Sequence, residues 1–161
     1  MALYLDVEAT YQGKLTVIGL HHDVLGTVQL VGDQITRANL EAALPMAICV
    51  YTYDGDRYDL ALIKDQVGVD LRNRYRSVDL KAHCQRARLY GGLKSVEQRL
   101  GITRRFEGMS GKDAVALWYE HQKTGCRESL EKLLAYNRED VENLKVLRDV
   151  LEMRYAHCQA R

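Results

Sequence analysis

Three short apolar runs lead the chain. Ala2–Val7 (ALYLDV) is a short apolar run with an acid near its end, Leu15–Leu20 (LTVIGL) follows a Gln12-Gly13 turn, and Val24–Val31 (VLGTVQLV) carries a glycine in its interior. Their β-rich composition and short connections predict an antiparallel meander. Thr36 then precedes RANLEAAL, whose apolar positions 40, 43 and 44 and following Pro45 predict a short capped helix with a sharp stop. Ala47–Thr52 (AICVYT) is short and continuously apolar, as a strand buried on both faces would be. Asp54-Gly55-Asp56 predicts a turn, Tyr58–Val67 a weak helix and Ser77–Leu80 a further short strand.

From Lys81 onward the periodicity is helical. Gly91-Gly92 opens LKSVEQRL, and Gly101 fits the position just past its end. Ser110 is placed to cap a helix over 111–124, which Gly125 would end. Residues 127–155 read as one long helical tract that could bend near Asn137. Strands first, one buried strand between helices, then helices alone predict an α/β fold: a central mixed sheet, its first three strands antiparallel, flanked by helices.

A chain of 161 residues fits one domain, 1–161, with a core that needs no staples. The 47% apolar and 28% charged shares are those of a globular protein and exclude a disordered or collagen-like chain. No run approaches the ~18 apolar residues of a membrane span, so no membrane is expected. MALYLDVEAT lacks a basic lead and carries acids at once, unlike a signal peptide. The cysteines at 49, 84, 126 and 158 form no CxxC or zinc-type spacing, which predicts free thiols in a reducing cytoplasm. His21-His22 closes an apolar run and reads as a strand end.

The candidate chemistry lies in acids from three distant segments. Asp6 and Glu8 are two apart, so a strand presents both on one face. Such a pair alone could be a solvated strand end, but the apolar flank of Leu3, Leu5 and Val7 makes burial costly without a cation. Asp59 follows the buried strand, where α/β sheets place ligands, although it could equally be a helix cap. Tyr136 and Asp140 are four apart on a helix with the apolar stripe Leu133, Leu134, Val141, Leu144 and Leu147. Each could also be a core-edge tyrosine and a surface acid. Four gathered carboxylates would repel unless compensated, and two divalent cations would cancel their formal charge. Mg²⁺ or Mn²⁺ suits an all-oxygen site, and a pair ~3.5–4 Å apart is suited to phosphodiester hydrolysis.

The succession LDVEAT, YTYDGDRYDL, VDL, GGLKSVEQRLGI and LLAYNREDVENL resembles the DEDD superfamily of 3′-5′ exonucleases on the ribonuclease H-like fold. In detail it looks like the YprB-type ribonuclease H-like domain. The resemblance spans about residues 2–150. It implies Asp6, Glu8, Asp59 and Asp140 as metal ligands and Tyr136 as the residue that orients the attacking water. The family's third motif has a histidine form and a tyrosine form. Ala135 stands at the histidine position and Tyr136 at the tyrosine position, so this chain is of the tyrosine type. Relatives commonly have Asn-Gly before a Phe-Asp pair. Here Asp54-Gly55 and Tyr58-Asp59 occupy those places, adding one negative charge near the phosphate path.

The formal charge of +1 hides a strong asymmetry. Residues 1–71 hold ten acids against four bases, whereas residues 72–105 hold ten bases against two acids. A basic stretch beside an acidic mouth fits a surface that tracks nucleic-acid phosphates. Arg72, Arg74, Arg76 and Lys94 are candidate phosphate contacts, and Tyr75 and Tyr90 candidate stacking platforms for unpaired bases. Lys94 follows a glycine pair at a predicted helix start. The stretch could instead be a solvated face that balances the acidic half. The leading expectation is a metal-dependent exonuclease acting on DNA or RNA from a single-stranded 3′ end. The rivals are a non-catalytic nucleic-acid-binding module of a larger assembly and a phosphohydrolase for small nucleotides. Ten bases over 34 positions argue against the latter.

Overall fold

The protein is described here by a computed structural model covering residues 1–159, with side chains through Arg154. Five strands form one sheet in the order β3-β2-β1-β4-β5. β1 (Ala2–Ala9), β2 (Leu15–His22) and β3 (Gly26–Val31) make the antiparallel meander. β4 (Cys49–Thr52) and β5 (Arg76–Asp79) add in parallel on the other side of β1. The expected mixed sheet is therefore present. β1 runs two residues further than its apolar run suggested, to Ala9, so Glu8 as well as Asp6 lies within the strand.

Side-chain alternation along β1 divides the core. Leu3, Leu5 and Val7 pack with α1 (Arg37–Ala43) and α2 (Asp59–Val67) through Leu40, Leu60 and Ile63. Ala2 and Tyr4 face the other way, towards α3 (Leu80–Arg86), α4 (Leu93–Leu100) and α6 (Arg127–Gln159), meeting Cys84, Val96 and Leu144. A third cluster joins Val17 to Ala114 of α5 (Gly111–Thr124) and to Leu133 and Tyr136 of α6.

The helix ends follow the sequence signals. The Thr36 side chain accepts from the Asn39 amide, satisfying one of the first-turn donors of α1. Ser110 and Asp113 form a reciprocal capping box on α5. Gly101 and Gly125 end α4 and α5 with φ of 71°, a left-handed conformation that a Cβ disfavours. α6 runs uninterrupted through Asn137, so that residue does not divide the helix.

Cys49, Cys84 and Cys126 are free thiols, and the side chain of Cys158 lies outside the described residues. Among the described residues, no helix is long and apolar enough to cross a membrane.

Candidate active site

β1 pairs with β4 only as far as Tyr4 and Tyr51, and β4 ends at Thr52. Beyond that point the two parallel strands part and the second half of β1 loses a neighbour. Asp59, the first residue of α2, fills part of the gap: its Oδ1 accepts from the Val7 amide at 3.1 Å. The carboxylate thus satisfies a strand donor that a longer β4 would have paired. On the opposite face, Asp6 and Glu8 of β1 meet Asp140 of α6. Each of these three offers an oxygen, and the oxygens all lie within 4.8 Å of one another. Asp59 stands against the edge of this trio rather than within it.

Sequence-distant acids are therefore brought together, in a place where burial opposes their charge. Burial first, then the charges of Asp140, Glu8 and Asp59, pushes the Asp6 carboxyl well above the usual range. Glu8 is pushed up to about 8, mainly by burial and next by Asp140. Asp59 rises to about 6, its burial only partly offset by the Val7 amide. Asp140 is raised too, burial outweighing Arg104 and Lys94.

Two cations answer them. Arg104, itself only 9% exposed, pairs with Glu97 at 2.7 Å, with Glu139 at 3.3 Å and with Asp140. Lys94, in the first turn of α4, donates to the Tyr136 hydroxyl. Counting Asp6, Glu8, Asp59, Asp140, Glu97 and Glu139 against Lys94 and Arg104 leaves four negative charges when all are ionised. Two divalent cations carry that charge, and the donors are all hard oxygens, so the residues fit such a pair. Asp6, Glu8 and Asp140 are the residues placed to hold it.

The opening beside the trio is a small cleft of about 250 Å³, walled by Asp6, Tyr53, Gly92, Lys94 and Asp140. Tyr53 closes one side by donating from its hydroxyl to the Gly91 carbonyl at 2.7 Å. A second cleft of about 500 Å³ lies on the far side of Lys94, lined also by Gln98, Arg104 and Phe106. A larger hollow of about 800 Å³, between α5 and α6, lies away from the carboxylates.

The basic stretch does not form one continuous surface. Arg76 pairs with Cys49, which pairs with Ala2, so it stands level with the start of β1. Four residues along and two strands across place its backbone about 16 Å from that of Asp6. Arg72 is held by Asp70 at 2.8 Å, and the Arg74 guanidinium lies 5.7 Å from the centre of the Tyr75 ring. All three precede or open β5, at the end of the sheet opposite the trio. Tyr75 is not a stacking platform: it is 3% exposed, and its hydroxyl donates to the Pro45 carbonyl. Its ring fills the apolar core instead. Tyr90 is exposed, three residues before the start of α4.

Arg104, counted among the ten bases, is the counter-ion of Asp140 rather than a surface charge. Glu97 offered a usable signal. It falls four residues after Leu93 and three before Leu100, on the apolar stripe of α4, where an acid needs a buried partner. Asn137 and Gln29, described below, gave no comparable signal.

A five-stranded mixed sheet with helices on both faces, and a carboxylate trio shared between its central strand and α6, defines a ribonuclease H-like α/β protein. A family model described as the RNase_H superfamily matches residues 3–152, and the chain belongs to that superfamily. Membership indicates nuclease-type processing of nucleic acid, a chemistry generally run with divalent metals. No curated protein matches the chain significantly.

Proposed function

We propose that the protein is a 3′-5′ exonuclease of the tyrosine DEDD type, hydrolysing phosphodiester bonds of DNA or RNA with two divalent cations, Mg²⁺ or Mn²⁺. The convergence of Asp6, Glu8 and Asp140, with Tyr136 four residues before Asp140, is the observation that carries this reading. Its polarity and subtype rest on the resemblance of the motifs.

In this reading Asp6, Glu8 and Asp140 hold the cations, and Asp59 contributes from the edge of the trio. When bound, such a pair polarises the phosphodiester, lowers the pKa of a water and stabilises the leaving oxygen. Water oxygen would bond to phosphorus as the bond to the 3′ oxygen breaks, the water's proton passing to solvent and the departing 3′ oxygen taking one up, so that a nucleoside monophosphate is released. Tyr136 orients the water. Burial and the neighbouring acids raise its pKa, so it stays a phenol and donates rather than acting as a base. Lys94 donates to its oxygen, which leaves the hydroxyl proton free to point at that water. The strand's end enters by the clefts on either side of Lys94, and Tyr90 is exposed to stack on an unpaired base.

The test uses end-labelled single-stranded DNA and RNA with Mg²⁺, Mn²⁺ or EDTA, beside Asp6→Ala and Asp140→Ala. Stepwise shortening from the 3′ end that needs metal and both acids is expected. The loss on either substitution should exceed the ~100-fold that removing an outer partner of a metal ligand costs. Binding without cleavage under every condition would establish the module reading instead. Undiminished cleavage by Asp140→Ala would remove the site.

A further inference from the structure

Asn137 is fully buried on α6, one residue after Tyr136 and three before Asp140. Its Nδ2 donates to Asp6 Oδ2 at 3.0 Å and, more weakly, to the Asp6 carbonyl at 3.4 Å. Its Oδ1 accepts from Gln29 Nε2 at 2.9 Å. The same Gln29 nitrogen donates to the Leu134 carbonyl at 2.8 Å. These contacts leave little choice of orientation. A main-chain carbonyl can only accept, so Gln29 must turn its NH₂ towards α6. Facing that NH₂, Asn137 must present its oxygen to Gln29 and its own NH₂ to Asp6. The fixed backbone of α6 thereby sets the direction of a hydrogen bond to Asp6 through two successive amides.

The space for the second amide is also reserved. Gly19 lies directly across from Asp6 in the β1–β2 register, and a Cβ there would come within 2.2 Å of Asn137 Oδ1. Every charged neighbour of Asp6 in the trio repels it, whereas Asn137 offers a neutral donor at a set angle.

We propose that Gln29 and Asn137 form an orienting relay that holds the Asp6 carboxylate in its metal-binding direction. Both are positioning residues, and neither belongs to the acid trio. The inference rests on the nuclease reading, but it makes a separate claim about metal binding.

Gln29→Glu isolates the relay, because it keeps the side chain's shape and replaces the donor with oxygen. Asn137 then turns its NH₂ towards the new carboxylate and presents an oxygen to Asp6. Calorimetry with Mn²⁺ on the full chain should show binding weakened about tenfold, and kcat should fall by a similar factor with KM within about twofold. An added negative charge acting only through space would tighten Mn²⁺ binding, so unchanged or tighter binding overturns the proposal. Gln29→Met, which has no amide, should lose less than Gln29→Glu. In an Asn137→Ala background Gln29→Glu should cost nothing further, since the two act in series. A full tenfold loss there would also overturn the relay. Gln29 is partly exposed on β3, so thermal melts of both Gln29 variants should stay close to that of the parent chain. If the parent chain binds Mn²⁺ but cleaves nothing, the nuclease reading fails, and the calorimetric comparison still decides the relay. If it binds no Mn²⁺, both fail.

Discussion

Leu3, Leu5 and Val7 on one face of β1 meet the apolar sides of α1 and α2, while Tyr4, Asp6 and Glu8 on the other lie beneath α4 and α6. The two faces are less than a side chain apart and comparably covered. The first is dry and gains stability from each methylene removed from water. The second gathers carboxylates that burial disfavours, held by Arg104, Lys94 and Asn137. Paired, hydrogen-bonded charge can be retained in a core, but only at a cost in stability relative to apolar packing. Here that cost is concentrated where chemistry is proposed. The apolar face anchors the strand that carries the acids.

This contrast can be broken at several points. Arg104→Met should have the largest effect on folding in EDTA, about 3–5 kcal/mol, because it strands Glu97 and Asp140 as buried, unpaired charges. Equilibrium denaturation measures it, and a loss below ~1 kcal/mol would show that the acids are protonated without their partner. Leu5→Ala on the dry face should cost about 2–5 kcal/mol. Its loss should be the same with and without Mg²⁺, and a metal-dependent loss would mean that the two faces are coupled.

A third measurement separates the faces by pH. The native state binds protons at Glu8 up to about pH 8 and at Asp59 up to about pH 6, whereas the unfolded chain releases them near 4.5 and 3.8. The folded form therefore holds more protons across this interval, and its stability falls as pH rises. Tm in EDTA should drop by about 5 °C or more between pH 5 and pH 8, and Mg²⁺ should restore it at the higher pH. A flat profile would place the acids in a more polar setting than their burial indicates.

The smallest expected change is Gly55→Ala. A Cβ there would come within 2.4 Å of Thr52 Cβ and 2.7 Å of Asp59 Oδ2. Overpacking of about 1–3 kcal/mol is expected. Any fall in cleavage beyond that of the apolar Leu5→Ala control would report displacement of Asp59.

Much of this was legible along the chain. The meander, the buried fourth strand, the capped helices and the acids at 6, 8, 59 and 140 all follow from periodicity, capping residues and motif spacing, which are local properties. The placement of the basic stretch was not legible, because charge along a sequence carries no direction. Arg72, Arg74 and Arg76 enter or open β5 at its N-terminal end, Arg104 turns inward to pair with Asp140, and Lys94 reaches Tyr136 beside the acids. Tyr75 stands between two arginines in the sequence, as a solvated ring would, yet it is buried and the Pro45 carbonyl supplies a partner for its hydroxyl.

The sequence by itself determined which residues form strands and helices and which acids are candidates for chemistry, since 2.0 and 3.6 residue periods and caps are written in neighbouring positions. Only the tertiary structure decided which charges cancel. Arg104 finds Asp140 36 positions away, Lys94 finds Tyr136 42 away, and Gln29 reaches Asn137 108 away. These pairings depend on how far β1 and β4 run together before they part, and on which way α6 crosses the sheet. Chain order specifies neither distance nor direction between groups so far apart, and electrostatics and hydrogen bonding depend on both.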